Sequence, residues 1–174
     1  MVSVGGISFI NVFRDNIKLK IFILIVGILF LVSCAETPKC NYIGDSSLEA
    51  NAGCLVVHEN KLLIVEDNKG RMSLPGGSKN SDEVAQCTAE REVWEETGVE
   101  VKAVKRIITF NNGFQLFECD ISGKQVLDGS TRPWRFEIDE IHWFGLSQFV
   151  NRNWRYPEQL ELMKEHLKNY NTDD

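Results

Sequence analysis

The chain has 174 residues, 43% of them apolar and 10% aromatic, and a net charge of −6. That is enough chain for one compact domain with some to spare, and enough apolar surface for a core, which excludes a disordered chain. The acidic balance argues against nucleic acid as a partner, and a phosphorylated substrate would need a cation beside it.

The first feature in chain order is apolar. Residues 21–32, IFILIVGILFLV, carry no charge and follow Arg14, Lys18 and Lys20. A basic stretch before a short apolar run is the layout of a secretory signal. The run is shorter than the roughly 20 residues of a spanning helix. It ends in Leu31-Val32-Ser33-Cys34, which resembles the lipobox of bacterial lipoproteins. The resemblance implies that residues 1–33 are a signal peptide and that Cys34 is lipidated and becomes the mature N-terminus. An uncleaved membrane anchor and a buried apolar helix are the alternatives. Either of the two membrane readings puts the domain outside the cytoplasm, on the periplasmic side of a membrane. Ala35, where an Asp would signal retention, matches an outer-membrane destination in a Gram-negative cell. The stretch before the apolar run is long for such a signal, so a start downstream of Met1 is expected. Removing residues 1–33 takes away Arg14, Lys18, Lys20 and Asp15 and moves the net charge from −6 to −8.

Residues 34–51 are polar and turn-rich and read as a tether. The domain is expected over residues 52–170. Ala52–His58 and Leu62–Val65 are β-branched runs joined by Glu59-Asn60-Lys61, a hairpin signal. Met72–Leu74 is a short strand that Pro75-Gly76-Gly77 breaks. Asp82–Thr97 has a helical pattern, with Asn80, Ser81 and Asp82 as N-cap candidates and Gly98 as the stop. Val101–Phe110 and Phe114–Ile121 are strands around the turn Asn111-Asn112-Gly113, and Phe136–Phe144 is another. Pro157 opens a last helix to about Lys168, with Leu160, Met163 and Leu167 at helical spacing. Strands on both sides of a central helix predict an α/β fold, a mixed sheet packed between helices.

Within the central helix, Glu92, Glu95 and Glu96 fall on one arc about 100° wide, because each residue turns the helix by about 100°. Carboxylates crowded on one face repel each other, and a merely solvated helix would interleave lysines. Divalent cations with a taste for oxygen, Mg²⁺ or Mn²⁺ in its place, account for such a face. Arg91 stands one turn before Glu95 and can pair with it. Ala85 and Ala89 continue the arc with small side chains, which leaves room for a substrate or the preceding loop. Gly76 and Gly77 permit a sharp turn that brings a carbonyl near the metal.

The whole stretch runs from Gly77 through Glu83 to Arg91-Glu92-Val93-Trp94-Glu95-Glu96-Thr97-Gly98-Val99. It resembles the Nudix box at every fixed position, and the resemblance extends over about Ala52 to Lys168. It implies a Nudix-type α/β/α sandwich and a metal-dependent pyrophosphohydrolase. Catalytic residues would be Arg91, Glu92, Glu95 and Glu96. The metal would be held by Glu92, Glu95, Glu96 and Gly77, with Glu83 supporting helix and loop. Glu92 has base character in some members, and Glu137 and Glu140 are further candidates for a ligand or base.

The expected substrate is a nucleoside diphosphate linked to another group, hydrolysed at the cell envelope. A lipid or isoprenoid pyrophosphate is the alternative that the membrane tether motivates, and a non-catalytic binding module is the other. The oligomeric state is open. Trp134-Arg135 and Trp154-Arg155-Tyr156 combine rings with cations and either stack a base and hold a phosphate or simply pack. Trp94 is expected in the core. His58, His142 and His166 show no ligand spacing. Cys40, Cys54, Cys87 and Cys119 permit two disulfides in an exported domain, in any of three pairings, or four buried thiols. Cys87 lies on the helix face away from the glutamates, where Cys119 is a candidate mate.

Overall fold

The computed structural model describes residues 39–40, 49–123 and 137–170. The signal peptide with Cys34, most of the tether, and Trp134-Arg135 lie outside the described residues. Among the described residues no helix is long and apolar enough to cross a membrane.

The run Ala52–His58 forms two strands rather than one. β1 (Ala52–Leu55) pairs in parallel with β7 (Gln115–Ile121). β2 (Val57–His58) pairs instead with β3 (Lys61–Asp67), antiparallel. The chain changes sheet at Val56, whose carbonyl still accepts the Leu63 N–H at 3.0 Å. The turn between β2 and β3 needs Glu59 and Asn60 at φ of 46° and 61°, the left-handed geometry of a two-residue hairpin.

One sheet has the order β5-β1-β7-β6, with β5 (Gly76–Gly77) and β6 (Val101–Thr109) at its edges. It is mixed, because β1 and β7 run parallel while both edge strands run antiparallel to their neighbours. In the other sheet β3 pairs with β2, β4 (Met72–Ser73) and β8 (Ile138–Phe144), all antiparallel. Among the described residues two α-helices complete the fold, α1 (Ala85–Thr97) and α2 (Leu160–Tyr170). A 3-10 turn at Pro157–Gln159 leads into α2.

Strand alternation sorts side chains between two apolar clusters. Ala52 and Cys54 of β1, Leu63 of β3 and Phe117 and Cys119 of β7 meet Ala85, Ala89 and Val93 of α1. Leu55, Leu62, Ile64 and Leu116 point the other way and meet Met163 and Leu167 of α2, with Phe144 and Phe149. The result is the expected sandwich with a helix on each face. Each fully buried Leu, Ile or Phe contributes about 1.5–3 kcal/mol, far above the contribution of an exposed ion pair. The clusters therefore hold the helices in place. Ala85 and Ala89 are consumed by this packing and do not open space for a substrate, which corrects that expectation.

α1 begins at Ala85 rather than Asp82. Asp82 is left-handed (φ 60°), and the N-cap position is Val84, without a side-chain cap. Asn80, Ser81 and Asp82 belong to a turn closed by Glu83, which explains why they do not cap the helix. Gly98 ends α1 as expected, at φ 73°, with its N–H donating to the Trp94 carbonyl at 2.8 Å. Trp94 lies half-buried on the outer face of α1 and belongs to neither cluster.

Two disulfides are present, Cys40–Cys87 and Cys54–Cys119. The Cys87–Cys119 pairing is thereby overturned. Cys119 is buried beside Cys54 on the adjacent parallel strand, whereas Cys87 sits on the side of α1 opposite Ala85 and Ala89, out of reach of the sheet. It meets Cys40 instead, at a Cα–Cα distance of 5.3 Å.

The turn from β3 to β4 is built on Asp67. Its carboxylate accepts the N–H groups of Lys69 and Arg71 at 2.9 and 3.0 Å and the Arg71 guanidinium Nε at 2.8 Å. Burial pushes this carboxyl up, but the hydrogen bonds and charge of Arg71 and the Lys69 N–H outweigh it and bring the pKa from 3.8 to about 2. A carboxyl lowered on folding stabilises the fold fully above its unfolded pKa and loses that contribution as pH falls through the folded one. Asp67→Asn should therefore lower the urea midpoint at pH 7, and its deficit should shrink between about pH 4 and pH 2. A deficit independent of pH across that window would contradict this account.

Candidate active site

The turn before α1 and the helix are joined by one guanidinium. Arg91 Nε and Nη2 donate to the two Glu83 oxygens at 2.8 and 2.9 Å. Nη1 donates to Glu92 and to Glu95, each at 2.8 Å, and Nη2 also donates to the Ser78 carbonyl at 2.7 Å. A guanidinium has five N–H groups, so every donor of Arg91 is committed to the protein. The i,i+4 pair with Glu95 is the one expected; the bidentate clamp on Glu83 is the stronger contact.

Glu83 also accepts the Asn80 N–H at 2.9 Å and the Thr88 hydroxyl at 3.1 Å. Burial raises its pKa, but Arg91, the Asn80 N–H and Thr88 together hold it below the ordinary carboxylate range. The hydrogen bonds to Glu83 push the Arg91 pKa above its already high value against burial, and the charges of Glu92 and Glu95 add to that. Glu83 is thus a fixed anion that organises the loop.

Glu92 is 2% exposed and Glu96 6% exposed, and both line a cleft of about 920 Å³. Glu96 accepts the Gly76 N–H at 2.9 Å, which ties β5 to α1. Gly77 lies against Glu92: a Cβ there would come within 2.6 Å of the carboxylate. Glu95, at 21% side-chain exposure, stands beside Arg91 and does not line the cleft. The expected arc therefore divides into two buried carboxylates facing the cleft and one at its margin. Carboxylate oxygens of this kind are hard donors suited to Mg²⁺ or Mn²⁺.

Gly53 and Gly76 have a different cause. A Cβ on Gly53 would sit 2.6 Å from the Pro75 carbonyl, and one on Gly76 would sit 2.5 Å from the Gly53 Cα. Strands β1 and β5 approach each other backbone to backbone, and only glycine fits between them.

Other residues separate by position. Glu137 lines the cleft, whereas Glu140 does not. Glu140 lies with Glu66 and His142 across β3 and β8, with His142 Nε2 at 2.9 Å from Glu66 and 3.7 Å from Glu140. The ligand atoms of these three residues lie within 4.8 Å of one another, so they form a second group that could hold a metal, and none of them lines the cleft. The spacing of His142 in sequence gave no sign of it, because the strand register across β3 and β8 brings the three together. Trp154 is packed, its ring stacked on Phe149 at 5.4 Å. Arg155 and Tyr156 line the cleft, as do Phe110 and Phe114 from either side of the β6–β7 turn. Periodicity did not single out those two phenylalanines, because both flank a turn whose direction is set by the sheet.

The NUDIX domain family model matches residues 48–166. Among solved structures, an ADP-ribose pyrophosphatase from Streptococcus suis 89-1591 is 23% identical, with a TM-score of 0.55, covering 67% of this chain and 89% of that one. A UDP-X diphosphatase is 18% identical, with a TM-score of 0.55 and coverage of 91% and 84%. A NUDIX-family hydrolase from Clostridium perfringens is 17% identical, with a TM-score of 0.56 and coverage of 70% and 97%. At these identities the likeness is one of fold. No curated protein sequence matches the chain.

The two kinds of glycine constraint predict different outcomes. In Gly53→Ala the new methyl meets fixed backbone, so stability should fall by about 1–3 kcal/mol in urea unfolding. In Gly77→Ala it meets the end of a side chain, so the loss should be smaller, under about 1 kcal/mol, with Glu92 displaced from its place. The reverse order of the two losses would contradict this account of the turn.

Proposed function

The chain belongs to the NUDIX family, and from that premise we propose that it is a divalent-metal-dependent hydrolase of a pyrophosphate bond in a nucleoside diphosphate linked to another group. One observation carries the reading. Two buried carboxylates, Glu92 and Glu96, line the cleft, while the nearby guanidinium of Arg91 has every donor committed to protein. The single charge of Arg91 is shared among Glu83, Glu92 and Glu95, so a pyrophosphate brought there meets a net negative charge. A hard dication resolves the conflict.

Glu92 and Glu96 are the proposed ligands, with Glu95 at the margin and the Gly76-Gly77 backbone beside them. Bound Mg²⁺ would supply neutralisation of phosphate charge and an acidified water. The protein's own part is to hold its carboxylates still. Arg91 fixes Glu92 and Glu95, the Gly76 N–H fixes Glu96, and the close packing at Gly77 limits where Glu92 can go. Glu137, on the cleft wall, is the candidate to take a proton from water.

The envelope location is part of the proposal. Two disulfides fit an oxidising compartment, in keeping with the signal-like N-terminus and Cys34. On this reading, Cys34→Ser should move the chain from the membrane fraction to the soluble fraction. Equal partition of both forms would remove the lipid tether from the account.

Turnover should need Mg²⁺, stop with a chelator and return on adding the metal. Glu92→Gln and Glu96→Gln should each lower kcat by about 100-fold or more. Gly77→Ala should also lose activity while staying folded. Hydrolysis only of lipid pyrophosphates in micelles would favour the tether-motivated alternative. Tight ligand binding with no turnover of any pyrophosphate would make the chain a binding module.

A further inference from the structure

We propose that Arg155, backed by the ring of Tyr156, is a phosphate-binding subsite for a nucleoside diphosphate, and that Phe110 and Phe114 receive the flat base. The inference deepens the reading above and rests on it for the bond that is broken. It starts from a census of positive charge. Among the described residues lining the cleft, the cations are Lys79, Arg91 and Arg155. Lys79 is ion-paired with Glu49. Arg91 has no donor left. The Arg155 guanidinium has no hydrogen bond or ion pair with any described residue, and its Cζ lies 5.3 Å from the centre of the Tyr156 ring.

An arginine in a cleft with several carboxylates would ordinarily take one as a partner. Arg155 instead rests on a ring face, a contact that orients the guanidinium plane and leaves its N–H fork available. That fork matches two oxygens of a phosphate.

The mount is rigid. The Asn153 carbonyl accepts the Met72 N–H at 2.7 Å, and the Arg155 N–H donates to the Met72 carbonyl at 2.8 Å. Between them Trp154 is stacked on Phe149 and donates its indole N–H to the Phe149 carbonyl at 3.3 Å. Met72 belongs to β4, which leads through Pro75 into the Gly76-Gly77 turn against Glu92 and Glu96. Arg155 and the glutamate pair are thus anchored to the same short piece of backbone. A diphosphate can be gripped at one phosphate while the other lies at the carboxylates.

The wall formed by the β6–β7 turn decides the substrate class. Phe110 and Phe114 stand with ring centroids 6.3 Å apart, next to the amide side chains of Asn111 and Asn112. Rings beside amides suit a planar base with polar edges. An isoprenoid chain needs a long continuous apolar groove, and the large apolar side chains lining this cleft are few: Leu74, Phe110 and Phe114, with the ring of Tyr156.

The test uses the full chain with Mg²⁺ and α,β-methylene ADP, followed by titration calorimetry. Arg155→Ala should weaken binding by about 10- to 100-fold, the effect of losing charge-assisted hydrogen bonds. With a hydrolysable nucleoside diphosphate, KM should rise similarly while kcat stays within about three-fold, and Arg155→Lys should recover part of the loss. Arg155-dependent binding of the analogue, with no hydrolysis of any oxygen-bridged nucleoside diphosphate linked to another group, would support the subsite and overturn the hydrolase reading. Wild-type affinity in Arg155→Ala would overturn the subsite. So would binding of a methylene-bridged isoprenoid diphosphate in place of the nucleotide analogue.

Discussion

The site depends on the ion-pair network around Arg91. Glu92 and Glu95 each lie 2.8 Å from the same Nη1 atom, so their oxygens are less than about 6 Å apart. At an effective dielectric near 20, two such charges repel by about 3 kcal/mol. Glu83 adds a third anion on the opposite side of the guanidinium. Without Arg91 the carboxylates would separate, and the loop from Gly77 to Val84 would lose its tie to α1. With Arg91 in place, the carboxylates are held close together. The remaining negative charge faces the cleft, where a dication can use it.

This arrangement constrains the neighbouring elements. Arg91 also binds the Ser78 carbonyl, and Glu96 binds the Gly76 N–H, so both ends of the β5 segment are held to the helix. β5 is in turn the edge strand on β1, where Gly53 and Gly76 allow the backbones to close. β1 is fastened to β7 by parallel pairing and by Cys54–Cys119. Cys40–Cys87 ties the segment ahead of the domain to the outer face of α1. The helix that carries the carboxylates is therefore fixed by packing on one face and by a covalent link on the other.

Much of this was legible in the sequence because it is local. The spacing of Glu92, Glu95 and Glu96 follows from helical geometry, as does the Arg91–Glu95 pair. Gly98 stops the helix because a left-handed residue is needed there. The hairpin at Asn111-Asn112-Gly113 and the face of Leu160, Met163 and Leu167 follow in the same way. What was not legible depends on tertiary partners. The run Ala52–His58 looks uniform, yet β7 captures its first half and β3 its second. Asp82 looks like a cap, but Glu83 closes the turn first. Ala85 and Ala89 look like space and are filled by the sheet. Cys87 and Cys119 look like mates until the helix face and the strand face are set against each other. Only the folded chain distinguishes Arg155, which lines the cleft, from Trp154 beside it, which is stacked on Phe149.

The central claim is that Glu92 and Glu96 hold the dication. Mn²⁺ binding followed by electron paramagnetic resonance tests this most directly, because it reads the metal without needing a substrate and can separate this pair from the Glu66–Glu140–His142 group. The account predicts a bound Mn²⁺ signal that Glu92→Gln and Glu96→Gln each remove or strongly weaken and that His142→Ala leaves in place. A signal unchanged in both glutamine variants but lost in His142→Ala would contradict it and move the metal to the other sheet.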